Sequence, residues 1–274
     1  MTAAVAAAGS AVDHVLALRR RQRMANWGLA FLFALVVAWC FNDTIIADTE
    51  WSRMGGLMGV AAAIERFVWL DWSLLPTLLV PTIETFMMAT VGTLLGCILS
   101  LPVAWMGAQN VTPSRLVAYP VARFMMVMSR SIHEIIWALL FVAAVGLGAL
   151  PGILAVAMRS VGFISKITAE AIENIDIKPV EAIRAVGGNR FQVLWYGILP
   201  QILPVVIGTV IFEWDINIRR SAVMGLVGAG GLGLVFFRQM AQFNYGGVSM
   251  VILAVLVLIL IGETLSHYAR KAVI

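Results

Sequence analysis

Four uncharged, largely apolar runs, residues 24–41, 85–114, 191–212 and 245–262, constrain this chain more than any other feature. A helix of about 20 apolar residues crosses the roughly 30 Å hydrocarbon core of a bilayer. In lipid the backbone has no water to bond, so a spanning segment satisfies its own polar groups by coiling into a helix. The chain is 61% hydrophobic and 12% charged, against about 25% charged in a soluble domain. The fold class read from these facts is all-α, a polytopic membrane protein of about six spans. The net charge of +4 is read as topogenic Lys and Arg beside the spans, so no nucleic-acid partner is expected.

The spans are placed at about 24–41, 78–106, 116–145 with a break or tilt, 152–171, 199–219 and 245–264. Residues 1–23 form a tail and 24–274 one membrane domain. Arg19, Arg20, Arg21 and Arg23 ahead of the first run place the tail in the cytoplasm. That arrangement resembles a signal peptide, but no small-residue cleavage site follows, so an uncleaved first span is expected. Arg270 and Lys271 put the C-terminus on the same side. The polar stretch 42–73 is expected outside, with an interfacial helix over Met54–Leu70. Gly146–Gly152 reads as a turn. Residues 172–198, with Glu173, Asp176, Lys178, Glu181, Arg184 and Arg190, are too polar to span and form a cytoplasmic loop between spans four and five.

Ionisable residues at membrane depth face a bundle interior or a wet cavity. Arg123, Arg130 and Glu134 are spaced by seven and then four residues, which places them on one helix face. Arg159, Lys166 and Glu170 repeat that spacing, and Asp215–Arg219 and Glu213–Asn217 are each four apart. Two readings stay open. The charges either fix packing through mutual salt bridges or line a path for an oxyanion, which guanidinium binds in bidentate fashion. The path candidates are Arg130, His133, Glu213, Asn217, Arg219 and Arg220. The pairing Arg130–Glu134 would neutralise Arg130, whereas Arg220 beside the Asp215–Arg219 pair leaves a surplus positive charge. His133 is expected to be packed or paired.

Other motifs are set aside. Gly228, Gly230 and Gly233 satisfy the dinucleotide pattern, but no strand precedes them and no acid follows at the required distance. They suit a tight turn or close helix packing. There is no Walker lysine motif and no His-Glu-x-x-His, so no cofactor and no metal is expected on this chain. Cys40 and Cys97 lie in apolar runs without metal or disulfide spacing. The methionines and tryptophans are expected mostly to face lipid or the interface.

The segment that narrows function is Glu181-Ala182-Ile183-Arg184-Ala185-Val186-Gly187, followed by Leu199-Pro200. A short helix ends at a glycine able to turn the chain left-handed, and Pro suits the first turn of the next helix. This resembles the coupling loop of binding-protein-dependent ABC permeases: Glu-Ala-Ala, three residues, Gly, nine residues, Ile, any residue, Leu-Pro. Glu181, Ala182, Gly187, Leu199 and Pro200 match. Ile183 stands at the third alanine and Gly197 at the isoleucine. Ser129–Glu134, Trp137–Gly148, Lys166–Glu181, Leu199–Pro204 and Phe212–Gly233 further resemble the phosphonate-type permeases, over about residues 80–274. His133 stands where related sequences often carry proline or asparagine.

The resemblance implies a homodimeric permease, an importer rather than an enzyme, in a bacterial cytoplasmic (inner) membrane. It implies an extracytoplasmic binding protein and two copies of an ATPase as partners, ATP and Mg being held by that ATPase. Glu181 would fix the ATPase contact and Gly187 would let the chain turn back. The implied solute is a small phosphorus oxyanion: phosphonate, phosphite or phosphate. The alternatives are another small solute, methionine or a quaternary amine, and, outside the class, an ion-coupled secondary transporter or an intramembrane enzyme.

Overall fold

The computed structural model describes residues 2–47 and 56–273. The chain divides into two units, residues 1–64 and 65–274. In the first, helix α1 (Thr2–Phe41) winds on through a wider π-type turn at Asn42–Ala47. Its apolar part, Arg19–Ala47, is long enough to span. Helix α2 (Gly56–Val68) carries the unit boundary. Asp48, Glu50, Arg53 and Met54 lie outside the described residues.

The second unit is a bundle of helices, and among the described residues there is no strand. The end of α2 is tied to the last helix, α11 (Tyr245–Val273): Phe67 meets the Tyr245 ring edge-on and its carbonyl accepts from Ser249 Oγ at 2.6 Å. Asp71 then caps a short 3₁₀ turn, Trp72–Leu74, accepting from Ser73 N. Helix α3 (Leu75–Gly107) follows with Pro76 in its first turn; at 1.5 Å per residue its 33 residues reach about 50 Å.

Helix α6 (Ala149–Glu173) is the centre of the bundle, and its contact with α3 is the most extensive between helices among the described residues. The buried side of α3 is made largely of small residues, including Ala89, Gly92, Thr93, Gly96 and Ser100. A Cβ on Gly92 would fall 2.7 Å from Val156 Cβ, and one on Gly96 would fall 2.6 Å from Ser160 Cβ. This Gly-x-x-x-Gly pair lets two backbones touch. Lipid tails are as apolar as leucine, so association in a membrane rests on such close contact and on interhelical hydrogen bonds. Large side chains such as Leu94, Ile98 and Leu101 consequently point outward. Met88, Met126, Met224 and Met250 are the buried methionines among the described residues, where a flexible thioether fills the gaps beside small residues.

The third crossing is broken. Helices α4 (Ala118–Ser131) and α5 (Glu134–Val145) meet at 94° across Ile132-His133. Counted as one crossing, they bring the apolar spans to six. The turn after α5 is confined to Gly146–Gly148, and α6 takes over at Ala149, so Leu150–Gly152 are helical rather than part of the turn. A short helix α7 (Ile177–Ala185), a single turn α8 (Arg190–Gln192) and a π-type turn, Val193–Ile198, precede α9 (Leu199–Met224). Helix α10 (Gly231–Ala241) and α11 complete the bundle.

The glycine-rich stretch is the turn between α9 and α10. Gly228, Gly230 and Gly231 all have positive φ, which glycine adopts without cost. The first backbone N–H groups of α10 are received by α3: Gly231 N donates to Glu84 Oε2 and Leu232 N to Thr85 Oγ1, each at 2.9 Å. Glu84, the one acid within α3, thus acts as a cap from a neighbouring helix, a role with no local sequence pattern to announce it.

Candidate functional site: the coupling segment and the buried charge cluster

Helix α7 projects from one end of the bundle. Asp176 caps it, accepting from Lys178 N at 3.0 Å, and Gln201 of α9 holds its entry, accepting from Asp176 N at 2.9 Å and donating to Gly197 O at 2.6 Å. Its exit is a left-handed glycine: Gly187 has φ +84°, while Gly187 N and Gly188 N donate back to Arg184 O and Ile183 O. These paired bonds close the end of a helix. Glu181, Ala182 and Gly187 are exposed, as is Pro200 in the first turn of α9, and Leu199 is half-buried.

The two departures from the motif meet each other. Val180 and Ile183 turn inward, and a Cβ on Gly197 would sit 3.2 Å from Ile183 Cδ1 and 3.3 Å from Val180 Cγ2. The motif has a small residue at position 183 and a large one at 197. This chain has the reverse, so volume has been exchanged across one contact.

The second constellation lies within the membrane between α3, α5, α6 and α9. Glu213 and Asn217 are fully buried on α9. Arg220 Nη1 donates to Glu213 Oε1 at 2.9 Å and to Asn217 Oδ1 at 3.1 Å, while its Nε stands 3.5 Å from Glu134 Oε1. Asn217 donates to Thr93 Oγ1 at 2.9 Å and to Ser160 Oγ at 2.8 Å. Arg159 Nε lies 4.0 Å from Glu134 Oε2, and its guanidinium also donates to the Arg130 carbonyl. Two carboxylates therefore balance two guanidinium groups, and one asparagine bonds to groups on three helices.

This geometry corrects several expectations. Arg130 and Glu134 do not share a helix face, because the chain breaks between them. Glu134 turns to Arg159 and Arg220, and among the described residues Arg130 has no carboxylate partner. Arg220 is not a surplus charge beside Arg219. Successive residues on a helix diverge by about 100°, so Arg220 enters the neutral cluster while Arg219 pairs with Asp215 on another face. Arg159 likewise leaves the proposed Arg159–Lys166–Glu170 row; only Lys166 and Glu170 pair, at 3.5 Å. Arg123 pairs instead with Glu173 at the loop end, at 2.7 Å.

His133 is neither packed nor deeply paired. Its side chain is 61% exposed, its Nε2 stands 3.8 Å from Glu134, and its Nδ1 accepts from Ile135 N, capping α5. Arg219 is 49% exposed and borders an apolar groove of about 330 Å³ with Leu226, Phe236 and Ile252. Ser160, Thr93 and Gln201 were not singled out by sequence, since single hydroxyls and amides on apolar helices have no distinguishing spacing.

A bundle of crossing apolar helices, with a short polar helix at one end and paired charges buried between the spans, is the architecture of a membrane transport subunit. The chain belongs to the family described as the binding-protein-dependent transport system inner membrane component, whose sequence profile matches residues 55–274. It is 37% identical to the phosphite transport system permease protein PtxC of Stutzerimonas stutzeri, over 89% of this chain and 87% of that protein. It is 36% identical to the phosphate-import permease protein PhnE of Mycolicibacterium smegmatis, over 70% of this chain and 36% of that protein. The fold matches a subunit of the MetNI methionine ABC transporter in an inward-facing form, with TM-score 0.65 and 23% identity, over 75% of this chain and 100% of that one. The protein is accordingly a multi-pass membrane permease of the ABC importer class, which sets aside the secondary-carrier and intramembrane-enzyme readings.

Proposed function

We propose that this chain forms, with a second copy of itself, the translocation path for a small phosphorus oxyanion: phosphonate, phosphite or phosphate. The observation that carries the reading is Arg219. Its side chain is half exposed, its only carboxylate partner among the described residues is Asp215, and it lies level with Ile252 and Ile259, well inside α11. A charge at that depth is costly against lipid and belongs beside a water-filled cavity, which the interface between two copies would supply. Guanidinium is the side chain suited to a phosphorus oxyanion. The named functions of the two relatives, phosphite transport and phosphate import, are of the same anion class. A quaternary amine is a cation and would favour aromatic faces over a guanidinium.

In this reading an extracytoplasmic binding protein delivers the anion. Two ATPase subunits, which hold ATP and Mg, dock on α7 through Glu181 and Ala182, and the turn at Gly187 keeps that knob stiff. We assign both termini and α7 to the cytoplasm from the basic residues beside them in sequence: Arg19, Arg20, Arg21 and Arg23, then Lys178, Arg184 and Arg190, and Arg270 and Lys271. Arg220, Glu213 and Asn217 hold the helices in register rather than touch the solute, and Arg130 and His133 remain secondary candidates at the helix break.

The test is uptake per folded transporter, with phosphite, phosphonate and phosphate each as substrate. Arg219→Lys keeps the charge but loses the fork and should lower uptake partly; Arg219→Gln should lower it further. Unchanged uptake by the Gln variant would remove Arg219 from the path. Glu181→Lys and Gly187→Val should leave an inserted protein whose ATPase no longer drives uptake.

A further inference from the structure

A second basic site lies at the coupling end. The loop that joins α3 to α4, residues 108–117, faces the coupling segment across a cleft of about 480 Å³. Arg184, from the last turn of α7, and Arg190, the first residue of α8, both border it. Asn110, Thr112 and Trp105 form the opposite wall, and Gly188 lies between the two arginines in sequence. No carboxylate borders the cleft, and among the described residues neither arginine has an acidic partner. Every charged residue on the lining is thus a guanidinium.

The backbone conformation keeps both arginines on the cleft. The left-handed turn at Gly187 reverses the chain between them, and a Cβ on Gly188 would fall 2.5 Å from Ile183 Cγ2, so this turn packs directly on α7. Asn189 fixes α8 through a reciprocal cap with Gln192, its Oδ1 accepting from Gln192 N at 2.9 Å and its N donating to Gln192 Oε1 at 2.8 Å. On the far wall, Asn110 is held by its bond to Ile172 O at 2.6 Å. That leaves the second hydrogen of its amide available as a neutral donor, while the Thr112 hydroxyl donates to Ser114 O at 3.4 Å.

The geometry points to a binding site for a phosphate-bearing anion in this cleft, bridging the 108–117 loop and the coupling segment. Two guanidinium groups without an acidic partner among the described residues, with the Asn110 amide opposite, suit tetrahedral phosphate oxygens, which accept paired N–H bonds. Such an anion has two sources at this surface. It is either the headgroup of an anionic phospholipid, which basic pockets beside membrane helices receive and for which Trp105 is an interfacial neighbour, or a free oxyanion from the cytoplasm. The second source rests on the proposed function. Either way the occupant would tie α7 to the 108–117 loop, so its occupancy would stiffen the segment that meets the ATPase.

The test uses the assembled transporter. In detergent, inorganic phosphate is titrated against sodium chloride at equal ionic strength. In parallel, nanodiscs of phosphatidylcholine are compared with and without phosphatidylglycerol. Thermal stability is read in both arms for the wild type, Arg190→Gln, Arg190→Lys and the Arg184→Gln/Arg190→Gln pair. A Tm rise of about 2–4 °C that the double variant loses and Arg190→Lys, which keeps the charge without the fork, retains in part is expected in one arm. If it comes with phosphate the occupant is a free oxyanion, and if with phosphatidylglycerol it is a lipid headgroup. Both arginines are exposed, so the variants should fold. No rise in either arm, or a rise that persists undiminished in the double variant, overturns the site. The readout does not involve uptake, so its failure is distinct from a failure of the substrate assignment.

Discussion

Exchanging the residues at positions 183 and 197 should reveal that they are one unit. A Cβ at 197 would sit 3.2 Å from Ile183 Cδ1, 3.3 Å from Val180 Cγ2 and 3.4 Å from Val180 Cα. Gly197→Ala therefore needs a shift of a few tenths of an ångström, and the nearest atom is the mobile tip of an isoleucine. Removing a helical glycine regains up to about 1 kcal/mol, so this change should be close to neutral. Gly197→Ile adds three further carbons to a buried position without space for them, and overpacking of that kind costs about 1–3 kcal/mol. Ile183→Ala removes a half-buried side chain and should cost about 1–2 kcal/mol, below the 2–5 kcal/mol typical of a full core site. The double variant, which restores the motif's own residues, should recover most of both losses. The sum of the single costs is about 2–5 kcal/mol on these figures, and the expected coupling of about 1–3 kcal/mol lies within the range found for touching residues. Thermal unfolding of the assembled transporter measures stability, and solute-stimulated ATP hydrolysis reports whether α7 still transmits. Strictly additive losses in the four-member cycle would refute the idea that volume was exchanged across this contact.

Three further outcomes follow from the packing. Arg220→Ala leaves Glu213 buried without its main cation, so it should cost about 3–5 kcal/mol and lower the yield of folded protein, whereas Glu213→Gln/Arg220→Gln should cost clearly less; equal losses would contradict the neutral cluster. Gly96→Leu should separate α3 from α6, since even a Cβ there would meet Ser160 Cβ at 2.6 Å, and the expected sign is a lowered Tm with reduced expression, while Leu94→Ala on the outer face should change little. At Asp71, bonds from the Ser73 side chain, from Asn244 and from Ser73 N hold the carboxyl below its ordinary value of 3.8. A depressed folded value means that its contribution is present above about pH 4 and is lost as pH falls through the lower folded value. Hydrogen exchange at residues 72–74 should therefore rise at acid pH relative to the rest of the bundle, and Asp71→Asn should remove that pH dependence.

Hydropathy alone determined the solvent and the helical secondary structure, because in lipid the backbone has one local way to satisfy itself; five apolar helices take it unbroken and the third crossing takes it as two helices. The shape of the 177–200 segment was legible for a related reason. Gly187, which turns the chain, and Pro200, which opens the next helix, act through their own backbone neighbourhoods, so their place along the chain carries their meaning. The charges did not have that property. Spacing states which residues share a face only while one helix continues, and the break at Ile132-His133 removed Glu134 from the Arg130 face and gave it to Arg159 and Arg220. Whether Arg219 or Arg220 meets an open groove depends on where α5, α6 and α11 pack against α9, and no residue near position 220 encodes that. Glu84 capping α10, Gln201 holding α7 and Ile183 filling the space above Gly197 are likewise contacts between segments distant in sequence. They were decided by the crossing of helices whose small-residue faces let them approach, which only the tertiary structure specifies.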